Sequence, residues 1–184
     1  MRRQPIRRLG RTATFALILL AAAAMRCGPR DPLDQVRLLQ DESQDYAATL
    51  EPLRELLEDR PEDPEVHFRH GLALVATGNP SQAIWSLKEA LSSPEWLERA
   101  GMPLARAFTE IGSYDDAIET YGRVLERKPD LIPALLGRAM ARISSRRSYE
   151  EALADADRVL ELAPDQSEAL TPRVLALLAL ARVE

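Results

Sequence analysis

The chain has 184 residues, 29% of them charged, and a formal net charge of −5. Aromatic residues make up only 5% of it, and the abundance of Ala, Leu, Arg and Glu favours helices over a β-sheet. The first 26 residues hold six arginines and no acidic residue, so residues 27–184 carry 18 basic against 29 acidic side chains, a net charge of −11. A domain this acidic repels phosphate backbones, which argues against nucleic acid as a partner.

The first segment, residues 1–26, has the order of a secretory signal peptide. A basic head precedes an apolar run from Ala13 to Met25, and its arginines are Arg2, Arg3, Arg7, Arg8 and Arg11. The run is shorter than the roughly 20 residues that a membrane-spanning helix needs. Ala21 to Ala24 are small residues of the kind that a signal peptidase accepts. We therefore expect an exported protein, located in the periplasm or the cell envelope.

Cys27 is the only cysteine of the chain, so it has no partner for an internal disulfide. Its position after the apolar run resembles that of the lipid-acceptor cysteine of bacterial lipoproteins. This resemblance implies attachment to a membrane through a lipid on Cys27, with residues 27–31 as a tether. The lipoprotein pattern has a small residue before the cysteine, whereas this chain has Arg26. The alternative interpretation is an unmodified thiol next to an ordinary cleavage point or an uncleaved anchor.

Residues 32–63 contain two short segments with helical spacing of apolar residues. Leu33 to Leu39 predicts a first helix, and Tyr46 begins a second helix that ends at Pro61. The pair predicts a helical hairpin, although its sequence is less regular than that of residues 64–166.

Residues 64–166 repeat with a period of about 34 residues. Ala83, Ala117 and Ala152 occupy equivalent positions, each preceded by a small residue and followed by a proline; the small residues are Gly71, Ala105 and Ala139, and the prolines are Pro94, Pro129 and Pro164. The period predicts three hairpins, at 64–97, 98–131 and 132–166. Their expected helices are 64–77, 80–92, 96–111, 114–127, 131–144 and 148–162.

This pattern resembles the tetratricopeptide repeat (TPR) family, in which small residues lie where the two helices of each hairpin cross. The resemblance implies an all-α fold, a right-handed superhelical array of antiparallel helix hairpins. In that array, residues 32–63 are a degenerate first repeat and residues 167–184 are a terminal helix. Gly101 and Arg142 depart from the pattern, because the family has a large apolar residue at each of these positions.

The terminal helix, residues 167–184, is apolar on nearly every side; its apolar residues are Leu170, Val174, Leu175, Leu177, Leu178 and Leu180. A helix that caps a repeat array normally keeps its outer face polar. We therefore expect this helix either to contact another chain or to be the first half of a further repeat.

The resemblance also implies where a partner binds, because family members use a concave groove lined by the first helix of each hairpin. The corresponding groove candidates are Phe68, Leu72, Arg99, Met102, Arg106, Leu136 and Met140. The groove is expected to be apolar with a basic middle; the alternative is that some of these residues pack under the degenerate first repeat or the terminal helix. Family members that clamp a C-terminal carboxylate use Lys and Asn where this chain has apolar residues, so that activity is not implied.

The expected function is that of a protein–protein interaction adaptor or scaffold of the bacterial cell envelope, which binds a partner peptide or helix. The alternative is a structural domain that self-associates through the apolar terminal helix. Neither hypothesis involves a catalytic residue, because the sequence shows no phosphate-binding glycine loop, no serine elbow and no acid–base dyad with a histidine.

His67 and His70 are the only histidines, and their spacing on one helix is compatible with metal ligation. The repeat positions that they occupy pack against the neighbouring hairpin, however, which favours a structural role. We therefore expect no metal, no cofactor and no enzyme activity.

Overall fold

A computed structural model of the protein describes residues 31–182, and these residues form α-helices, turns and no β-strand. The predicted signal peptide and Cys27 lie outside the described residues. The helices are α1 (Pro32–Asp41), α2 (Tyr46–Asp59), α3 (Pro64–Ala76), α4 (Pro80–Ala90), α5 (Leu97–Glu110), α6 (Tyr114–Arg127), α7 (Ile132–Ser145), α8 (Tyr149–Leu162) and α9 (Leu170–Leu180). None of these helices combines the length and the apolar character needed to cross a membrane.

The helices of the three regular hairpins begin and end within two residues of the predicted positions. The last helix differs more, because residues 167–169 form a 3₁₀ turn and α9 begins only at Leu170. A second 3₁₀ turn, Pro94–Trp96, precedes α5.

Aspartates cap the first three helices. The carboxylates of Asp31, Asp45 and Asp63 each accept a hydrogen bond from a backbone N–H of the following turn, at 2.9–3.1 Å. These bonds satisfy N–H groups that have no partner inside the helix. The capped ends therefore fix where each of these helices starts.

The turns inside the hairpins need a left-handed residue. Gly78 and Gly112 supply it in the first two regular hairpins, with φ of 78° and 81°. In the third, Arg146 takes this conformation with a φ of 59°. Glycine adopts it without the steric cost that a side chain adds.

Consecutive helices pack side by side along the chain, so α3 with α4, α5 with α6 and α7 with α8 form the three hairpins. The first helices of neighbouring hairpins also contact one another, α3 with α5 and α5 with α7, while α7 contacts α9. First helices that contact one another from one hairpin to the next lie on the inner side of a curved array. The all-α fold of stacked hairpins is thus confirmed, and its first helices line the inner, concave side.

Small residues lie where the helices of a hairpin approach most closely. A Cβ atom added to Gly71 in α3 would lie 2.5 Å from Cγ of Leu87 in α4, and one added to Gly101 in α5 would lie 2.6 Å from Cγ2 of Val124 in α6. Leu87 and Val124 are fully buried. The departure at Gly101 therefore has a physical reason, since Val124 fills the space that a larger residue would need.

Equivalent positions of the three second helices hold a buried polar residue, a feature that the sequence analysis missed: Ser86, Thr120 and Asp155. Asp155 accepts hydrogen bonds from Arg138 at 2.6 and 2.9 Å and from Arg142 at 2.5 Å. The unusual Arg142 is thereby explained, because its charge is paired across the third hairpin rather than exposed to an apolar interior.

Candidate binding groove

Three of the predicted groove residues are half-buried, apolar and placed on successive first helices. Leu72 lies on α3, Met102 on α5 and Leu136 on α7, and all three pack against the continuous core. Met140, one turn after Leu136, is 37% exposed. Four of the predicted groove residues thus leave part of their apolar surface exposed on the first helices.

Phe68 differs from the expectation that it lines open surface, since it is only 6% exposed. The ring of Trp96 lies 5.3 Å from its ring, between centroids, and the guanidinium of Arg99 lies 5.1 Å from the Phe68 centroid and 4.9 Å from that of Trp96. Trp96 lies in the 3₁₀ turn before α5 and folds over Phe68. Phe68 therefore supports the groove from below instead of presenting its ring.

The two predicted basic residues of the groove are both exposed, as expected for ligand contact. Arg99 is held over two aromatic rings, a cation–π arrangement that restricts its side chain. Arg106 is less constrained, with 64% of its side chain exposed and its Nη2 atom 3.8 Å from Oε1 of Glu110. An exposed pair at that distance contributes little to stability, so the Arg106 charge is accessible from the groove.

A polar network joins α1 to α3. Arg69, with 3% of its side chain exposed, donates to Asp41 at 3.0 Å and to Glu65 at 2.9 Å. Arg37 donates to the same Glu65 carboxylate at 2.8 and 2.5 Å. Gln40 donates to the backbone oxygen of Arg69. This network fixes the degenerate first hairpin on the regular repeats.

The pKa values of the acids in this network are low. Hydrogen bonds from Arg37 lower the pKa of Glu65 to about 2, against the opposing effect of burial and with help from Arg69. The hydrogen bond from Arg69 likewise lowers the pKa of Asp41. Both carboxylates therefore stay ionised, and bound to arginine, at neutral pH.

The domain should consequently lose stability in acid. Because folding lowers the pKa of Glu65, its contribution is present above the unfolded pKa of about 4.5 and is lost as pH falls toward 2. We expect Glu65→Gln to lower the free energy of unfolding by about 1–2 kcal/mol at pH 7, less than the full shift implies because water reaches the network. In urea titrations at several pH values, this difference should shrink to near zero at pH 2.

A suitable control is Glu62→Gln, an exposed change in the adjoining turn that should have little effect at any pH. A Glu65→Gln penalty that is the same at pH 7 and at pH 2 would contradict the assignment.

Both histidines have hydrogen-bond partners in the fold. Nε2 of His67 donates to the backbone oxygen of Pro61 at 2.7 Å, and Nδ1 of His70 lies 2.8 Å from Oγ of Ser86. Burial lowers the pKa of His70. Among residues 31–182, no group of three or more histidine or acidic side chains is arranged to hold a metal ion.

A cavity of about 370 Å³ lies between α4, α5 and α6 and was not predicted. Its lining combines apolar and charged residues: Lys88, Leu91, Ser92, Leu104, Phe108, Asp116, Glu119, Thr120 and Arg123. Nζ of Lys88 lies 5.2 Å from the centroid of the Phe108 ring. Phe108 and Leu104 are almost fully buried, so the accessible part of this cavity is mainly polar.

Comparisons with known proteins agree with this architecture. A tetratricopeptide repeat family model matches residues 102–167. A search of the curated proteins gives no match. A tetratricopeptide repeat protein from Parabacteroides merdae superimposes with a TM-score of 0.70 at 20% identity, over 82% of this chain and 59% of that protein. The chain therefore spans less than two thirds of the length of that protein.

Two further solved structures are similar. YrrB, described as a TPR protein with an unusual peptide-binding site, has a TM-score of 0.66 at 20% identity, over 72% of this chain and 68% of YrrB. The first TPR of Spaghetti, bound to the HSP90 peptide SRMEEVD, has a TM-score of 0.59 at 23% identity, over 64% of this chain and 93% of its own. Identities this low establish a TPR-like fold and nothing further.

Proposed function

We propose that this domain is a protein-interaction module whose concave groove binds a peptide or helix with apolar anchors and some negative charge. The observation that carries the proposal is the row of partly exposed apolar residues on successive first helices, Leu72, Met102, Leu136 and Met140, next to two exposed arginines. The peptide-binding TPR proteins among the similar structures support this use of the fold. No catalytic step is part of the proposal.

The apolar row suits a ligand of irregular shape. Met102 and Met140 have flexible, polarisable side chains that adapt to different partner residues. Leu72 and Leu136 are anchored in the core on one side and add shape to the floor. A bound helix would cover this row with side chains spaced three or four residues apart.

The arginines define the preferred charge of the ligand. The guanidinium of Arg99 is held by its stacking on two rings, so it loses little freedom when an anion binds. Arg106 supplies a second positive charge in the middle of the groove. The peptide SRMEEVD, which is bound by the similar Spaghetti domain, has three acidic residues and so matches this preference in kind.

The proposed test begins with the selection of peptides of about 15 residues, from a displayed library, on the full chain. The selected peptides are then titrated with the variant Met140→Glu/Arg106→Glu, since both side chains are exposed whereas Met102 packs on the core. We expect at least about a tenfold loss of affinity, equivalent to 1.4 kcal/mol, and weaker binding by the unaltered chain as salt rises.

The matched control is Arg123→Glu, an exposed charge reversal on the second helix α6. It should bind the selected peptides as the unaltered chain does. The proposal fails if the groove variant keeps its melting temperature and still binds every selected peptide. If the double variant unfolds, the same titration is made with Arg106→Glu alone, which should fold because the Arg106 side chain is mostly in solvent. Unchanged affinity of this single variant would then contradict the proposal.

We further propose that the domain acts in the bacterial cell envelope, held to a membrane by a lipid on Cys27. This rests on the sequence order of residues 1–27 alone. Cys27→Ser should then move the protein from the membrane fraction to the soluble periplasm, because the acyl chains supply the membrane affinity. Mass spectrometry that finds an unmodified Cys27 thiol inside a longer mature chain would contradict the lipid anchor and leave export intact.

A further inference from the structure

The last helix, α9, exposes more apolar surface than any other described element. Of the nine large hydrophobic residues that are exposed within residues 31–182, five lie on α9, with 40–54% of their surface in solvent: Leu170, Val174, Leu175, Leu177 and Leu178. Positions 170, 174, 177 and 178 share one side of the helix, with 175 beside them. These five residues are here called the α9 stripe.

Within residues 31–182, α9 packs against neighbouring helices on one side only, which leaves this stripe uncovered. Helix α9 packs on α8 and contacts α7, whereas α7 is packed between α6 and α8. The buried residues of α9 are Pro172 and Ala176, and Nε of Arg173 in α9 donates to Asp157 of α8 at 2.6 Å. The contacts with the array thus take up the other side of the helix.

The five residues of the α9 stripe are uncharged, and Arg173 at the edge of the stripe, with 43% of its side chain exposed, is paired with Asp157. The residue between Leu170 and Val174 on this side is Thr171, and together with Leu175 these residues border a shallow depression of about 320 Å³. A surface that is apolar, uncharged and provided with a depression is suited to contact another apolar surface.

We propose that the α9 stripe binds the α9 stripe of a second copy of the chain, in a two-fold symmetric dimer. In an isologous contact the same patch is used by both subunits, so it must be compatible with itself. The α9 stripe meets this condition, because two uncharged apolar faces bring no like charges together. An antiparallel arrangement of the two helices would place Val174, the midpoint of the stripe, opposite its own copy.

Other parts of the molecule are poorer partners for this stripe. The opposite end of the array, α1, exposes Leu38 but surrounds it with Asp34, Asp41 and Glu42, so head-to-tail stacking would bury carboxylates against leucines. The concave groove would place the stripe against Arg99 and Arg106 and remove water from two guanidinium groups. An anionic membrane surface is disfavoured by the net charge of −11 on residues 27–184.

The size of the stripe sets the expected strength of the dimer. The exposed parts of five such residues amount to roughly 400 Å² per copy, in the range of the largest apolar patches found on monomers. Two copies together would bury about 800 Å², less than the roughly 1,200 Å² at which stable specific interfaces begin, so the contact is a weak one. The dimer should therefore dissociate on dilution in the micromolar range, and it leaves the concave groove of each copy open.

The test is sedimentation equilibrium of the full chain over a range of concentrations. The unaltered chain should show a monomer–dimer equilibrium, and Val174→Glu/Leu178→Glu should remain monomeric at every concentration because the dimer would bury four carboxylates. The control is Leu38→Glu, which introduces a single glutamate at a residue of similar exposure on α1 and should dimerise normally.

A second measurement locates the contact with a conservative change. In a Cys27→Ser background, Val174→Cys should be joined to its copy by a short bismaleimide cross-linker, and Leu38→Cys should not. A chain that is monomeric throughout, a dimer that survives Val174→Glu/Leu178→Glu, or a dimer that fails to cross-link at position 174 would each overturn the proposal.

Discussion

Replacing Asp155 by alanine is expected to lower the free energy of unfolding by about 3 kcal/mol, the largest effect of a single carboxylate in the described fold. The Asp155 side chain is 7% exposed and takes hydrogen bonds from Arg138 and Arg142, whose side chains are 21% and 17% exposed. Removing the carboxylate leaves two largely buried cations without their partner, and this unpaired charge is costly in an interior. The melting temperature should fall by roughly 10 °C.

The same substitution two residues later provides the control. Asp157 pairs with Arg173, but both side chains are more than 40% exposed, so Asp157→Ala should cost less than about 1 kcal/mol. Thermal and urea unfolding of the two variants measure the difference directly. Equal effects of the two changes would show that burial of the Asp155 pairs contributes nothing to the third hairpin.

Gly71→Ala and Gly122→Ala are expected to change stability in opposite directions, although the two changes are chemically identical. The new Cβ at position 71 would lie 2.5 Å from Cγ and 2.8 Å from Cδ2 of Leu87, which is fully buried. Overpacking of this kind costs on the order of 1–3 kcal/mol, more than the helix propensity of alanine returns.

Gly122 lies inside α6 with open space around it, since a Cβ there would meet only Nη1 of Arg138, at 3.9 Å. Alanine at this position should therefore stabilise the domain by about 0.5–1 kcal/mol, because it removes backbone freedom from the unfolded chain. Urea titration of both variants measures the sign of each change in the free energy of unfolding. Stabilisation by Gly71→Ala would mean that α3 and α4 do not cross closely at that residue.

The positions of the regular helices could be predicted because the period of the sequence has a direct geometric cause. Gly71 and its equivalents must be small where two helices cross, and a left-handed residue such as Gly78 must end each first helix. These local requirements recur every 34 or 35 residues. They fix the helix boundaries without any knowledge of how the hairpins stack.

The environment of the groove residues was harder to predict, because it depends on contacts between repeats. Phe68 has a groove position in the pattern, but Trp96 covers it from a 3₁₀ turn that was expected to begin a helix. The repeat period contains no information about that turn. The buried Asp155, in contrast, could have been found, because it shares the spacing of the polar residues Ser86 and Thr120.

Hydrogen exchange of the full chain, with and without a selected peptide, tests most directly whether the concave groove is the binding surface. We expect slower exchange in the first helices α3, α5 and α7, near Leu72, Met102 and Met140, and little change in α4 and α6. Slower exchange confined to α4 and α6, around the cavity beside Phe108, or to α9, would contradict it.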